Sequence, residues 1–300
     1  MKKVLITGAN GFIAKNISRI LKNSGCYIIG TSRIPNQIQD YDEIVKGVLG
    51  WPLNDVFEKH KIDAVVHCAY DKQDIDNNEN AEGTRRWAEQ AEKNNVGLQI
   101  FMSSLSADEE AVSPYGQKKY ELEKWFIAHN QVVFRLGLVI GNGGLFQTMI
   151  YMVQKSPILP LIDIGKNLTY ISDISTISMA VRDCIINGSK FQRGRVFYLQ
   201  QGSPVFVGNI LKEIRKQYGL FCIFMPIPRF IFSFFLILAE KLKSLDLGIN
   251  INNLKGLRQF NDKKFKSDLH SLGYLELPIE ILINKIYLTE KDQNMKQVLS

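Results

Sequence analysis

The apolar positions in the first half of the chain fall into two alternating rhythms. Five short runs, Lys3–Thr7, Tyr27–Thr31, Ala64–Cys68, Gln99–Ser103 and Val132–Leu136, are almost continuously apolar. That is the pattern of strands buried on both faces, as in a parallel sheet with helices above and below it. Between them, Ala14–Ser24, Leu53–Lys61, Ala81–Asn95 and Pro114–Asn130 carry apolar residues at helical spacing. In the third of these, Trp87, Ala88 and Ala91 share a face, with Arg85, Glu89 and Glu92 on others. Repeated strand-helix-strand of this kind predicts a doubly wound α/β fold with a parallel sheet.

After Gly141 the rhythm loosens. Leu159–Ile164 and Arg195–Leu199 read as strands, Val207–Tyr218 and Phe230–Leu245 as helices, and Asn250–Asn253 as a turn. The expected organisation is a first domain over residues 1–165, a sheet completed by parts of 166–220, and a smaller C-terminal lobe made mainly of 221–300. Leu220–Ala239 has about the length of a membrane span, roughly 20 residues. Pro226, Pro228 and Arg229 interrupt it. A buried helix or an apolar surface of the small lobe is favoured over a transmembrane span, and contact with a membrane surface is the lesser reading. The apolar run after Met1-Lys2-Lys3 stops at Thr7-Gly8, too short for a signal peptide.

Composition narrows the picture a little. With 45% hydrophobic and 22% charged residues, the chain is neither disordered nor collagen-like. Lys and Arg outnumber Asp and Glu by 37 to 30, a formal charge of +7. The excess is spread along the chain, and no basic stripe with interleaved aromatics appears. It therefore suits a small anionic ligand better than nucleic acid. Cys26, Cys68, Cys184 and Cys222 are far apart and form no CxxC pair. No zinc site or disulfide framework is expected, and a reducing cytoplasm is the simplest location.

The chemistry is concentrated at two places. Gly8-Ala-Asn-Gly11-Phe-Ile-Ala14 lies between the first strand and the first helix. Glycine at 8 permits a tight turn, glycine at 11 lets a diphosphate approach the backbone, and the small Ala14 lets helix and strand pack closely. The helix N-terminus then offers free amides and a partial positive charge, which predicts a bound dinucleotide. At the tip of the second strand, Gly30-Thr31-Ser32-Arg33 has hydroxyls and a guanidinium where an acidic residue would bind both ribose hydroxyls. Ser32 and Arg33 suit a 2′-phosphate, so NADP(H) is preferred and NAD(H) is the second choice. Further on, Tyr115 and Lys119 stand one helical turn apart on one face. An ammonium beside a phenol is expected to lower its pKa from about 10 and make it a usable proton donor. Lys119 can also hold the nicotinamide ribose. The serines at 103, 104 and 106 follow the fourth apolar strand, where a hydroxyl could bond a substrate carbonyl.

The succession of motifs resembles the extended short-chain dehydrogenase/reductases, the NAD(P)-dependent epimerase/dehydratase family of sugar-nucleotide enzymes. The resemblance is carried by TGANGFIA (7–14), HCAY (67–70), NAEGT (80–84), SSLSA (103–107), SPYGQKK (113–119), RLGLVIG (135–141) and YISDIS (170–175). It implies a Rossmann-type domain with a smaller C-terminal substrate lobe. It also implies Tyr115 as acid and base, Lys119 as its modulator and Ser104 as the catalytic hydroxyl, with Ser103 a buried strand residue. By the same resemblance, Gly8, Asn10, Gly11, Phe12, Ile13, Cys68, Ala69 and Leu136 join Ser32, Arg33, Tyr115 and Lys119 around the cofactor. Tyr70, Ser106 and Asn142 would face the substrate. No metal is implied, and a homodimer is the default assembly.

Departures from the family pattern bear on the reaction. Leu136 stands where proline is usual, Ile140 where an aromatic is common, and Cys68-Ala69-Tyr70 where two alanines are common. Family dehydratases carry an Asp-Glu pair after the catalytic hydroxyl, whereas this chain has Leu105-Ser106. Family epimerases usually have an acidic second strand, which Arg33 replaces. The resulting expectation is NADP(H)-dependent reduction of a keto group on a nucleoside-diphosphate sugar, in surface-polysaccharide biosynthesis. Lys166, Lys255 or Arg258 could meet the diphosphate. A nucleotide-sugar 4-epimerase is the alternative, and a non-catalytic NADP(H)-binding sensor or assembly subunit the third reading.

Overall fold

The structure, a computed structural model, describes residues 1–74, 76–228 and 264–298. The helix expected over Phe230–Leu245, the Asn250–Asn253 turn, Lys255 and Arg258 lie outside the described residues. The chain forms two compact units, residues 1–136 with 174–199, and 137–173 with 200–300.

The first unit is built on a seven-stranded parallel sheet. Its strands are β1 (Lys3–Ile6), β2 (Tyr27–Ser32), β3 (Glu43–Lys46), β4 (Ala64–His67), β5 (Leu98–Ser104), β6 (Val132–Leu136) and, from later in the chain, β11 (Arg195–Tyr198). Their order across the sheet is β11-β6-β5-β4-β1-β2-β3, and every pairing is parallel. This is the doubly wound Rossmann-like arrangement, and the order reverses between β1 and β4, where such sheets open a crevice at their carboxyl ends. The strands are continuously apolar because helices cover both faces. On α1 (Phe12–Asn23) the buried residues are Ala14, Ile17, Ser18 and Leu21, the stripe a helix presents to a sheet. Leu5, Ile29 and Val65 pack with Trp87 and Ala91 of α3 (Asn78–Lys93). Phe101 and Val133 pack with Leu122 and Phe126 of α4 (Pro114–Ala128).

The second unit has its own core. Its strands pair as β7 (Leu138–Ile140) with β10 (Ile171–Asp173), β8 (Ile158–Ile162) with β13 (Ile223–Ile227), and β9 (Leu168–Thr169) with β12 (Val205–Phe206). Phe146, Ile150 and Val153 of α5 (Gly144–Lys155) pack with Ile210 and Ile214 of α7 (Val207–Gln217), and with Leu282 and Ile283 of the C-terminal helix α9 (Ile279–Val298). The short α8 (Leu269–Leu272) precedes it. The division of the chain falls earlier than residue 165, because residues 138–140 pair with 171–173 instead of extending the large sheet. Of 166–220, only the stretch containing α6 (Ile174–Ile186) and β11 belongs to the first unit. The apolar segment from Leu220 begins as strand β13, not as a helix. No helix among the described residues is long and apolar enough to cross a membrane.

Candidate active site

The tips of β1 and β4 are tied by one hydroxyl. The amides of Cys68 and Ala69 both donate to Thr7 Oγ1, each at 3.0 Å, and the amide of Gly8 donates to Thr31 Oγ1 at 3.2 Å. Gly8 has φ +72°, and a Cβ there would stand 2.7 Å from the Ala69 Cα. Only glycine meets both demands. Gly11 caps α1 without a side-chain hydrogen bond, and the first turn, containing Phe12 and Ile13, holds no acidic residue. The orphan amides and the positive end of the helix dipole thus face the crevice with no internal anion to satisfy them. This cradle fits a dinucleotide diphosphate.

At the tip of β2 the Asn10 amide donates to Ser32 Oγ at 2.8 Å, and Ser32 donates to the Ile34 carbonyl at 2.7 Å. Arg33 is two-thirds exposed, and its guanidinium lies 3.4 Å from Asp71. Asp71 is the neighbour the sequence reading did not anticipate. Exposed pairs of this kind contribute at most about 1 kcal/mol, so a phosphate can compete for the guanidinium.

The second cluster is set by how α4 begins. Ser113 Oγ accepts from the amide of Gly116 at 3.2 Å, and Pro114 occupies the first helical position. A Cβ on Gly116 would lie 2.3 Å from the Ser106 carbonyl oxygen. The missing side chain therefore lets the helix start lie against the turn that follows β5. This seats Tyr115 beside Ser104, and their side chains are hydrogen-bonded. One turn on, Lys119 donates to the Met102 carbonyl at 2.8 Å and lies 4.5 Å from the centre of the Phe101 ring and 5.9 Å from that of Tyr115. Tyr70 meets Tyr115 edge to face, with ring centres 5.6 Å apart, and its hydroxyl is bonded by the Asn77 side chain. Ala69, Tyr70, Asn77, Thr84, Tyr115 and Lys119 line a small cleft here.

The electrostatics correct one expectation. Burial is the largest influence on the Tyr115 phenol and moves its pKa up, against the hydrogen bond from Ser104. Burial also brings Lys119 down to about 8, with Cys68 and Glu123 acting the other way. Burial is the dominant influence on both groups: desolvation disfavours the charged form of each, and the ammonium donates to the Met102 carbonyl. Burial pushes the Cys68 thiol up to about 12.

The remaining expected residues are placed as follows. Ser103 turns away from the cleft and donates to Glu123 at 2.5 Å, and the Ser106 amide donates to Ser104 Oγ at 3.2 Å. Leu136 is buried at the end of β6, and its carbonyl accepts from the amide of Leu105 at 2.9 Å. Asn142 and Lys166 are exposed and belong to the second unit. Sequence reading gave no role to Asn77, Asn80 and Thr84, which line the cleft. Asn80 and Thr84 lie in the NAEGT stretch quoted above. Asn80 holds the loop before α3, accepting from the amide of Asp71 at 2.7 Å and donating to its carbonyl at 2.8 Å.

Residues 4–150 match the NAD dependent epimerase/dehydratase family. The chain is 24% identical over 269 residues to the UDP-glucose 4-epimerase of Vibrio cholerae, covering 78% of this chain and 81% of that protein. Among solved structures, it is similar to the dTDP-glucose 4,6-dehydratase of Bacillus anthracis in complex with NAD, with a TM-score of 0.67 and 17% identity over 98% of each chain. It is also similar to the enzyme WbmH of Bordetella bronchiseptica in complex with NAD+, with a TM-score of 0.68 and 17% identity over 95% of this chain and 96% of that one. With the glycine turn on a doubly wound sheet and tyrosine, lysine and serine gathered on β5 and α4, the N-terminal half of the chain, residues 4–150, carries the match to the NAD dependent epimerase/dehydratase family.

Proposed function

We propose that the protein reduces a keto group on a nucleotide-activated sugar with NADPH. The observation that carries this reading is the contact of the Ser104 and Tyr115 hydroxyls one helical turn from Lys119. Gly8, Gly11 and the first amides of α1 would hold the diphosphate, and Ser32 and Arg33 the 2′-phosphate. A nicotinamide coenzyme held there would supply the hydride for the carbonyl carbon. Ser104 donates a hydrogen bond to the carbonyl oxygen and orients it. Tyr115 gives that oxygen its proton, so the C=O becomes a carbinol. Burial favours the protonated phenol, the form a reductase needs at the start of the cycle. Lys119 holds a positive charge beside the tyrosinate that remains.

The substrate class rests on the UDP-glucose 4-epimerase relative and on the positive net charge. Surface-polysaccharide biosynthesis is the proposed setting. Reduction is preferred over dehydration because Leu105, which follows Ser104, is 2% exposed and carries no ionisable group. Epimerisation at C4 is the second reading, favoured by the same curated relative: the same three side chains would take the hydroxyl proton and return it, while a retained nicotinamide would accept the hydride and give it back to the other face.

One assay separates these readings. Purified protein is given NADPH or NADH with a panel of nucleotide-linked keto sugars, and in parallel nucleotide hexoses with no added nicotinamide. Consumption of NADPH with carbinol formation is the expected result. Interconversion of epimers without added nicotinamide establishes the second reading, and no turnover in either arm overturns both.

A further inference from the structure

Behind the cleft lies a buried ion pair that the proposed reaction does not touch. Glu123 is 1% exposed. Arg135 Nε donates to Glu123 Oε1 at 2.8 Å, and Arg135 Nη2 donates to Oε2. Ser103 donates to the same Oε1 at 2.5 Å, and Arg135 Nη1 donates to the Tyr198 hydroxyl at 2.9 Å. Each member is next to a residue of the cleft. Ser103 precedes Ser104 on β5, Glu123 follows Lys119 by one turn of α4, and Arg135 is the register partner of Ser103 across β5 and β6. Helix and strand are therefore fastened twice, Lys119 to Met102 and Glu123 to Ser103, and the next residue along the strand is Ser104. Burying two ions costs several kcal/mol each before their attraction is counted. An apolar pair would join the same elements at less cost, so a role in the site is the stronger explanation for the charges.

We propose that Glu123 is a positioning residue for the reaction: clamped by Arg135 and Ser103, its carboxylate fixes the register of α4 on β5 and supplies the negative charge that faces the Lys119 ammonium. The inference rests on the Ser104–Tyr115–Lys119 reading given above. Around Lys119 stand His67 and Cys68 from the β4 end, the Phe101 ring and Met102 carbonyl from β5, and Tyr115 and Glu123 from its own helix. Burial keeps His67 neutral above about pH 4 and holds the Cys68 thiol protonated up to about pH 12. Burial raises the Tyr115 phenol too. Glu123, ion-paired with Arg135, opposes the burial that pulls Lys119 down to about 8.

The test is Glu123→Gln in the full-length, cofactor-free protein. Lys119 is titrated by NMR of labelled lysine side chains, its signal assigned with Lys119→Arg. The expected result is a midpoint lowered by roughly one pH unit, with the alkaline limb of the kcat profile moving down by the same amount. Glu123→Asp keeps the charge and is expected to restore the midpoint. A folded Glu123→Gln variant that titrates like the wild type shows that the pair is structural only and overturns the proposal. Because Glu123→Gln leaves a guanidinium buried, the double variant E123Q/R135M serves if the single one does not fold. There a smaller fall in the same direction supports the proposal, and an unchanged midpoint overturns it. The titration needs no substrate, so its failure is distinguishable from failure of the reductase reading.

Discussion

At the scale of single residues, the site is dominated by desolvation. Tyr115, Lys119 and Cys68 all lean towards their neutral forms because they sit where water is scarce. Tyr115→Phe removes the proton donor while keeping the ring against Tyr70. It should lower kcat by about 10²–10⁴-fold and leave NADPH affinity nearly unchanged, as read by steady-state kinetics beside fluorescence titration. Turnover equal to the wild type would remove Tyr115 from its role. Arg33 presents the second residue-scale prediction. Arg33→Ala should weaken NADPH by about tenfold or more through loss of a charge-assisted contact, with little effect on NADH. An equal loss for both nucleotides would mean that the guanidinium reads no phosphate. Sequence spacing placed Tyr115 and Lys119 one turn apart on α4 but did not show the burial that raises the phenol's pKa. A spacing rule states which side chains are neighbours, whereas the sign of a pKa shift depends on the water excluded around them.

At the scale of elements, α4 is aimed by its first turn. Gly116→Ala would set a methyl group against the Ser106 carbonyl and the Ala111 side chain. It should destabilise the fold by about 1–3 kcal/mol and depress kcat more than Ser113→Ala, whose lost cap costs about 1 kcal/mol. Chemical denaturation and turnover measured on both variants check this ranking. The strands and helices of the first half were legible because continuous apolar runs and helical stripes are written in adjacent residues. β3, α5, α6 and α9 were not predicted. β3 is the edge strand EIVK, half-exposed and flanked by charge, so it lacks the buried-run signature. α6 begins Ile-Ser-Thr-Ile, a β-branched start that reads as strand. It is helical because its apolar face packs on α1, which local propensity does not record. In α9 the apolar residues are interleaved with charges, and its stripe becomes legible only against α7.

At the scale of the whole molecule, the sheet buries several polar groups whose ionisation is tied to folding. His67 at the end of β4 is bonded to Gln99 at 2.8 Å, and burial lowers its pKa from 6.5 to about 4. The unfolded chain therefore takes up a proton between pH 6.5 and 4 that the folded protein refuses. The stability that neutral His67 contributes is complete above pH 6.5 and is lost as the pH falls through that window. His67→Gln should flatten the acid side of the stability curve between those two values in urea unfolding. A slope identical to that of the wild type would contradict the assignment. The split into two units was less visible than the fold, because the chain leaves the large sheet after β6 and returns for α6 and β11, an interleaving that no local motif marks. The Thr7 hydroxyl that joins the tips of β1 and β4 has one more implication. The backbone on which a coenzyme would rest is held by the fold's own hydroxyls, Thr7 and Thr31. On the proposed reading, nucleotide preference would be set at the β2 tip, and changes at Ser32 and Arg33 would exchange one coenzyme for the other while that backbone stayed untouched.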